Sequence, residues 1–142
     1  MTVAAAASVP MIFPNSARST QDTMELTGRI EGADVLVVEL REDNLDASNV
    51  REFREAMQSL MQDRAQVVLD MAGVKFVDSS GLGALISCLR QANGRKGDFR
   101  LCELTRTVRA LFELMRMHRV FTLHESRSDA VASFGPAAGA VR

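Results

Sequence analysis

The chain alternates between two hydrophobic periodicities, and this alternation constrains its fold more than any other feature. Residues 35–40, Val-Leu-Val-Val-Glu-Leu, form a β-branched run that reads as a strand. Residues 47–62 instead place Val50, Phe53, Met57, Leu60 and Met61 at steps of three and four, one apolar stripe along a helix. Arg51, Glu52, Arg54 and Glu55 fall outside the stripe and read as a solvated face. The two patterns recur downstream. Residues 66–70 and 99–104 read as core strands, and residues 80–93 and 107–117 as helices. The first of those helices is striped by Leu82, Leu85, Ile86 and Leu89, the second by Val108, Leu111, Phe112 and Met115. Residues 24–30 alternate loosely and join 35–40 through Gly32-Ala33-Asp34, which predicts a hairpin. Asp46 or Ser48 stands where a cap for the first helix belongs. Phe76-Val77 is a stub of extended chain, 121–124 a final edge strand and 129–134 a short closing helix. The expectation is an α/β domain, a mixed β-sheet of about four to five strands packed with about four helices.

A chain of 142 residues fits one domain with one core, because domains commonly run to about 100–150 residues. The ordered domain is expected over 24–134. Residues 1–23 are rich in Ala, Ser, Thr and Pro, lack the basic start of a secretion signal and are broken by Pro10 and Pro14. They read as a disordered leader, and 135–142 as a flexible tail. The formal net charge of −1 offers no basic field to nucleic acid. No apolar run approaches the roughly 20 residues of a membrane span. Cys88 lies on the apolar face of a predicted helix and Cys102 inside a predicted strand, so both are expected as buried free thiols in a reducing cytosol. His118 and His124 lack metal-ligand spacing and read as surface or boundary residues, so no metal is expected.

Phe76-Val77-Asp78-Ser79-Ser80-Gly81-Leu82-Gly83-Ala84-Leu85 is the unusual stretch. It sets an acid, two hydroxyls and two glycines where a strand hands over to a helix. Two glycines in one helical turn cost about 2 kcal/mol relative to alanine. Either the helix packs closely on the sheet there, or another molecule approaches the backbone. Catalytic templates fail on these residues. The third glycine of a dinucleotide fingerprint is missing, as is the Lys-Ser or Lys-Thr pair of a phosphate-binding loop. Val77 stands where a nucleophile elbow at Ser79 needs glycine. Ser79 can serve as the helix N-cap, or Asp78 can satisfy the same N–H groups. Ser79 is also well placed as a phosphoacceptor. A phosphate brings about −1.5 to −2 charges to a helix N-terminus, where anions are favoured. The fold then survives while the surface changes sign.

These residues resemble the STAS family, named for sulfate transporters and anti-sigma factor antagonists. The match runs through Val67-Val68-Leu69-Asp70 and from Gly73 to Leu85, with Leu45-Asp46-Ala47-Ser48, Phe53-Arg54 and Val108-Arg109-Ala110-Leu111-Phe112 in support. The resemblance implies a STAS-like fold and a cytoplasmic anti-sigma factor antagonist, a partner-switching regulator of transcription. Its partners would be an anti-sigma factor serine kinase, which phosphorylates the serine after the aspartate, here Ser79, and a serine/threonine phosphatase that resets it. Asp46 and Asp78 match acidic positions of the family's partner-facing surface, with Ser80, Gly81, Leu82 and Gly83 beside them. Nucleotide and Mg²⁺ belong to the kinase, so no cofactor is expected on this chain. The acidic Glu42-Asp43-Asn44 departs from the family pattern beside that surface. The alternative is a STAS subunit or scaffold of a phosphatase cascade or a membrane transporter, without the phosphorylation switch. An enzyme is not expected, since paired carboxylates, metal ligands and an activated nucleophile are all missing from the pattern.

Overall fold

The hairpin forms one edge of the sheet. A computed structural model describes residues 24–135, and in it β1 (Leu26–Glu31) runs antiparallel to β2 (Val35–Leu40), with Glu31 opposite Val35. Gly32 and Asp34 turn the chain with φ of 57° and 69°, a left-handed backbone that glycine and aspartate tolerate best. β2 then pairs parallel with β4 (Gln66–Asp70), β4 with β6 (Asp98–Cys102) and β6 with β7 (Leu123–His124). The strand order is β1-β2-β4-β6-β7, a mixed five-stranded sheet. Parallel neighbours need a crossover, and α1 (Val50–Met61), α2 (Ser79–Gly94) and α3 (Arg106–Leu114) supply them in turn. A second, two-stranded parallel sheet pairs β3 (Asn44–Leu45) with β5 (Phe76–Val77).

The strand period of two divides the core. Leu36, Val38, Leu40, Val67 and Leu69 face Phe53, Met57, Leu85, Leu89 and Phe112 of the three crossover helices. Val35, Val37, Val68 and Cys102 face the other way, under Ala130 of α4 (Arg127–Ala132) and the partly buried Val131 and Phe134. This two-sided burial explains why β2 and β4 read as continuous apolar runs. Phe99, fully buried on β6, meets Phe121 edge-on with ring centroids 6.4 Å apart. Cys88 and Cys102 are buried and free, and burial pushes both thiols up to about 12, which leaves them protonated. His118 is exposed and His124 half-buried.

Several boundaries differ from the sequence reading. α1 begins at Val50, not at 47, and neither Asp46 nor Ser48 caps it. The N-cap position is Asn49, whose side chain makes no cap bond. The Asp46 carboxylate instead accepts from the Ser48 N–H and hydroxyl. α3 stops at Leu114 because Arg116 turns left-handed, φ 61°, and a 3₁₀ turn Met117–Arg119 follows. α4 starts two residues early, where the Ser126 hydroxyl accepts the Asp129 N–H. The expected leader, 1–23, and the tail beyond residue 135 lie outside the described residues.

Two guanidiniums fasten α4 to the sheet: Arg100 on β6 donates to Ser133 at the helix end, and Arg127 holds its start. Arg127 donates to Glu39 on β2, to Asp70 on β4 at 3.2 Å and to Glu31 on β1 at 3.3 Å. The Arg127–Glu39 bond, opposed by burial and helped by Arg41, holds the Glu39 carboxyl below its ordinary 4.5. A depressed carboxyl stabilises the fold above its unfolded value and loses that contribution as pH falls through the folded one. Arg127→Gln is therefore expected to lower stability at neutral pH, with the gap to wild type closing below pH 4.5 as Glu39 protonates; urea titrations across that range measure it. In the principal core, Phe99→Ala should cost about 3–5 kcal/mol, as buried phenylalanine truncations do, read from the same urea curves.

Candidate functional site

The site forms where the small sheet meets the starts of two helices. The Lys75 N–H donates to the Asp43 carbonyl at 2.6 Å and the Asp78 N–H to the Leu45 carbonyl at 3.2 Å, so β5 is pinned along β3. Asp78 follows in extended backbone as the N-cap of α2. Its Oδ1 accepts the Gly81 N–H at 2.9 Å, and its Oδ2 accepts the Ala47 N–H at 3.1 Å. One carboxylate thus caps α2 and ties down the loop before α1. Between the two openings left by the sequence, the cap is Asp78 and not Ser79.

The Asp46 loop braces itself. Asn49 Oδ1 accepts the Asp46 N–H at 3.0 Å, and Asn49 Nδ2 donates to the Asn44 carbonyl at 2.8 Å. Asp46 is half-buried with Oδ1 engaged by Ser48. Backbone N–H groups thus orient both carboxylates within the fold.

Ser79 is the first residue of α2 and is exposed, while Ser80 is half-buried beside it. Freed from capping, the Ser79 hydroxyl makes no hydrogen bond among the described residues. The glycines part company. A Cβ at Gly81 would overlap the Leu45 carbonyl oxygen and lie 2.9 Å from Leu45 Cγ, so packing of α2 on β3 requires that glycine. Leu82 is also buried, in the principal core. Neither residue offers the outer surface expected of it. At Gly83 a Cβ would meet only Arg54 Nη2, at an ordinary 3.7 Å. Packing therefore leaves the second glycine unexplained. The site brings together Asp46, Asp78, Ser79, Ser80 and the half-buried Gly83, and turns Gly81 and Leu82 inward.

Two residues escaped the sequence reading. Phe76 is 48% exposed on β5, three positions before Ser79. The alternation with buried Val77 marked it, but a two-residue strand carries too little pattern to show which side faces out. Arg54 belonged to a supposed solvated face, yet it reaches α2. Among the described residues, no group of three or more His, Cys, Asp or Glu side chains could hold a metal ion, and no helix is long and apolar enough to cross a membrane.

A five-stranded mixed sheet whose second crossover helix opens on an exposed serine after a capping aspartate is the architecture of the STAS fold. The STAS domain family model matches residues 10–130, and the chain belongs to that family. It is 28% identical over 113 residues to BtrV of Bordetella bronchiseptica, a protein named provisionally as an anti-sigma factor antagonist, covering 78% of this chain and 95% of that one. Among solved structures, an anti-sigma factor antagonist from Mycobacterium paratuberculosis superposes with a TM-score of 0.68 at 20% identity, over 79% of this chain and 94% of that one. The Bacillus cell fate determinant SpoIIAA in its phosphorylated form superposes with a TM-score of 0.56 at 18% identity, over 79% and 99%.

The packing at Gly81 yields a prediction. Gly81→Val should destabilise the domain by about 1–3 kcal/mol, the usual cost of overpacking, whereas Gly83→Ala should leave it as stable or more so. Paired thermal melts of the two variants distinguish them.

Proposed function

We propose that this chain is an anti-sigma factor antagonist controlled by phosphorylation of Ser79. The observation that carries the reading is the exposed Ser79 hydroxyl at the first position of α2, with the capping duty taken by Asp78. In the dephosphorylated state the face around Asp46, Asp78, Ser80 and Gly83 binds an anti-sigma factor that is also a serine kinase, and the sigma factor goes free. The kinase brings nucleotide and Mg²⁺, and a serine/threonine phosphatase resets the domain, all in the cytoplasm. This chain acts by contact and performs no catalysis of its own. The BtrV relative and the phosphorylated SpoIIAA structure support the reading by their names.

The physics of the switch is local. Phosphate adds about −1.5 to −2 charges at pH 7 to a face already holding two carboxylates. The orphan N–H groups of α2 favour that anion, so the fold is kept. A partner surface matched to the neutral serine is then repelled. Partner binding falls while thermal stability stays.

Incubation with ATP and the host's kinase-type regulators, followed by intact mass and peptide mapping, tests the reading. One phosphate on Ser79, absent in Ser79→Ala, is the expected result, and no phosphate with any of these kinases would overturn it. Ser79→Ala should keep partner binding. Ser79→Asp should weaken it about tenfold or more, equivalent to about 1.4 kcal/mol, with an unchanged melting temperature. Calorimetric titration against the kinase measures both.

A further inference from the structure

We infer that Arg54 is the intramolecular partner of a phosphate on Ser79, and that Gly83 is glycine because it leaves the path between them open. The inference rests on the phosphorylation reading above and adds to it a device for holding the phosphate.

The geometry starts at the paired helix beginnings. Asp78 ties the start of α2 to Ala47, just before α1. Further along both helices, Arg54 Nη1 on α1 donates to the Ser87 hydroxyl on α2 at 3.1 Å. The helices therefore run side by side from a common end. Along α2, Ser79, Gly83 and Ser87 follow at steps of four, which places each beside the next on one ridge. The Arg54 guanidinium lies on the lower part of that ridge. Nη1 is bonded at Ser87, and Nη2 lies 3.7 Å from where a Gly83 Cβ would stand. Ser79 lies about 6 Å along the axis above Gly83 and about 12 Å above Ser87.

Chemistry supplies the direction of movement. Arg54 is exposed and has no carboxylate partner among the described residues. Its bond to Ser87 is a charged-to-neutral one at the surface, which is readily exchanged. A phosphate offers a planar guanidinium two parallel, charge-assisted hydrogen bonds. With Nη2 already beside Gly83, a change of rotamer that releases Ser87 has one further turn to cover, provided nothing stands on the ridge between. A side chain at position 83 would stand there. This accounts for the glycine that packing leaves unexplained, while Gly81 one turn-face away is accounted for by Leu45 alone.

The other charged groups around the two helix starts are Lys75, exposed ahead of β5, Asp43 just before β3, Arg51 and Glu52 in the first turn of α1, and the carboxylates of Asp46 and Asp78, both committed to hydrogen bonds. The carboxylates raise the phosphate's second pKa and the cations lower it, so its titration reports which cation pairs with it.

The test uses full-length chain carrying phosphoserine installed at position 79 during synthesis, so that it does not depend on any kinase. ³¹P NMR titration gives the second pKa of the phosphate, ordinarily about 6. Arg54→Gln is expected to raise it by about half a unit, the size of an exposed ion pair, and Arg54→Lys to restore part of the shift. Lys75→Gln is expected to move it less. Gly83→Leu, with Arg54 intact, should reproduce the rise and serves as the second variant should Arg54→Gln misfold by near-UV circular dichroism. An identical pKa in wild type, Arg54→Gln and Gly83→Leu overturns the inference and leaves the switch standing. Failure of every kinase to modify Ser79 overturns the switch and is a separate result.

Discussion

The Asp78 carboxylate is the interaction on which the working end of the molecule depends. One oxygen accepts from Gly81 and the other from Ala47, so a single side chain sets where α2 starts and where the chain before α1 lies. Backbone N–H groups of a helix terminus must find an acceptor. Here the acceptor that meets this need also joins two crossovers. Close seating of Gly81 on Leu45 completes the joint, since α2 can approach β3 only without a side chain at 81. Because the aspartate serves as cap, the serine that follows is left outside the structural network.

That division of labour keeps the stabilising contacts apart from the exposed serine. The principal core lies behind the joint, and its members are buried apolar side chains. The opposite face of the sheet is closed by α4, held by the Arg127 bonds to Glu31, Glu39 and Asp70. Neither layer uses Ser79. A charge there would meet helix N–H groups and exposed surface, and no buried side chain.

Much of the architecture was legible before any coordinates. Val50, Phe53, Met57 and Leu60 announced α1 by their spacing, and the runs at 35–40 and 66–70 announced strands, which the packing then buries on both sides. The Asp-Ser-Ser-Gly-Leu-Gly core pointed to the family, which the family match establishes. Helix ends were less legible. The halt of α3 at Leu114 comes from a left-handed Arg116, and arginine gives no local signal for that conformation.

The sequence by itself determined the order and kind of the main elements, because hydrophobic period is a local property of the chain. It also determined that a serine would sit at a strand-to-helix junction. Tertiary structure decided the rest. The β3–β5 pair joins residues about thirty positions apart, each strand only two residues long, too short for any period to show. Whether Asp78 or Ser79 caps α2 turned on a second acceptor duty at Ala47, a distant residue. The two glycines look alike in sequence. Only the packing of Leu45 against one, and the placement of Arg54 beside the other, tells them apart.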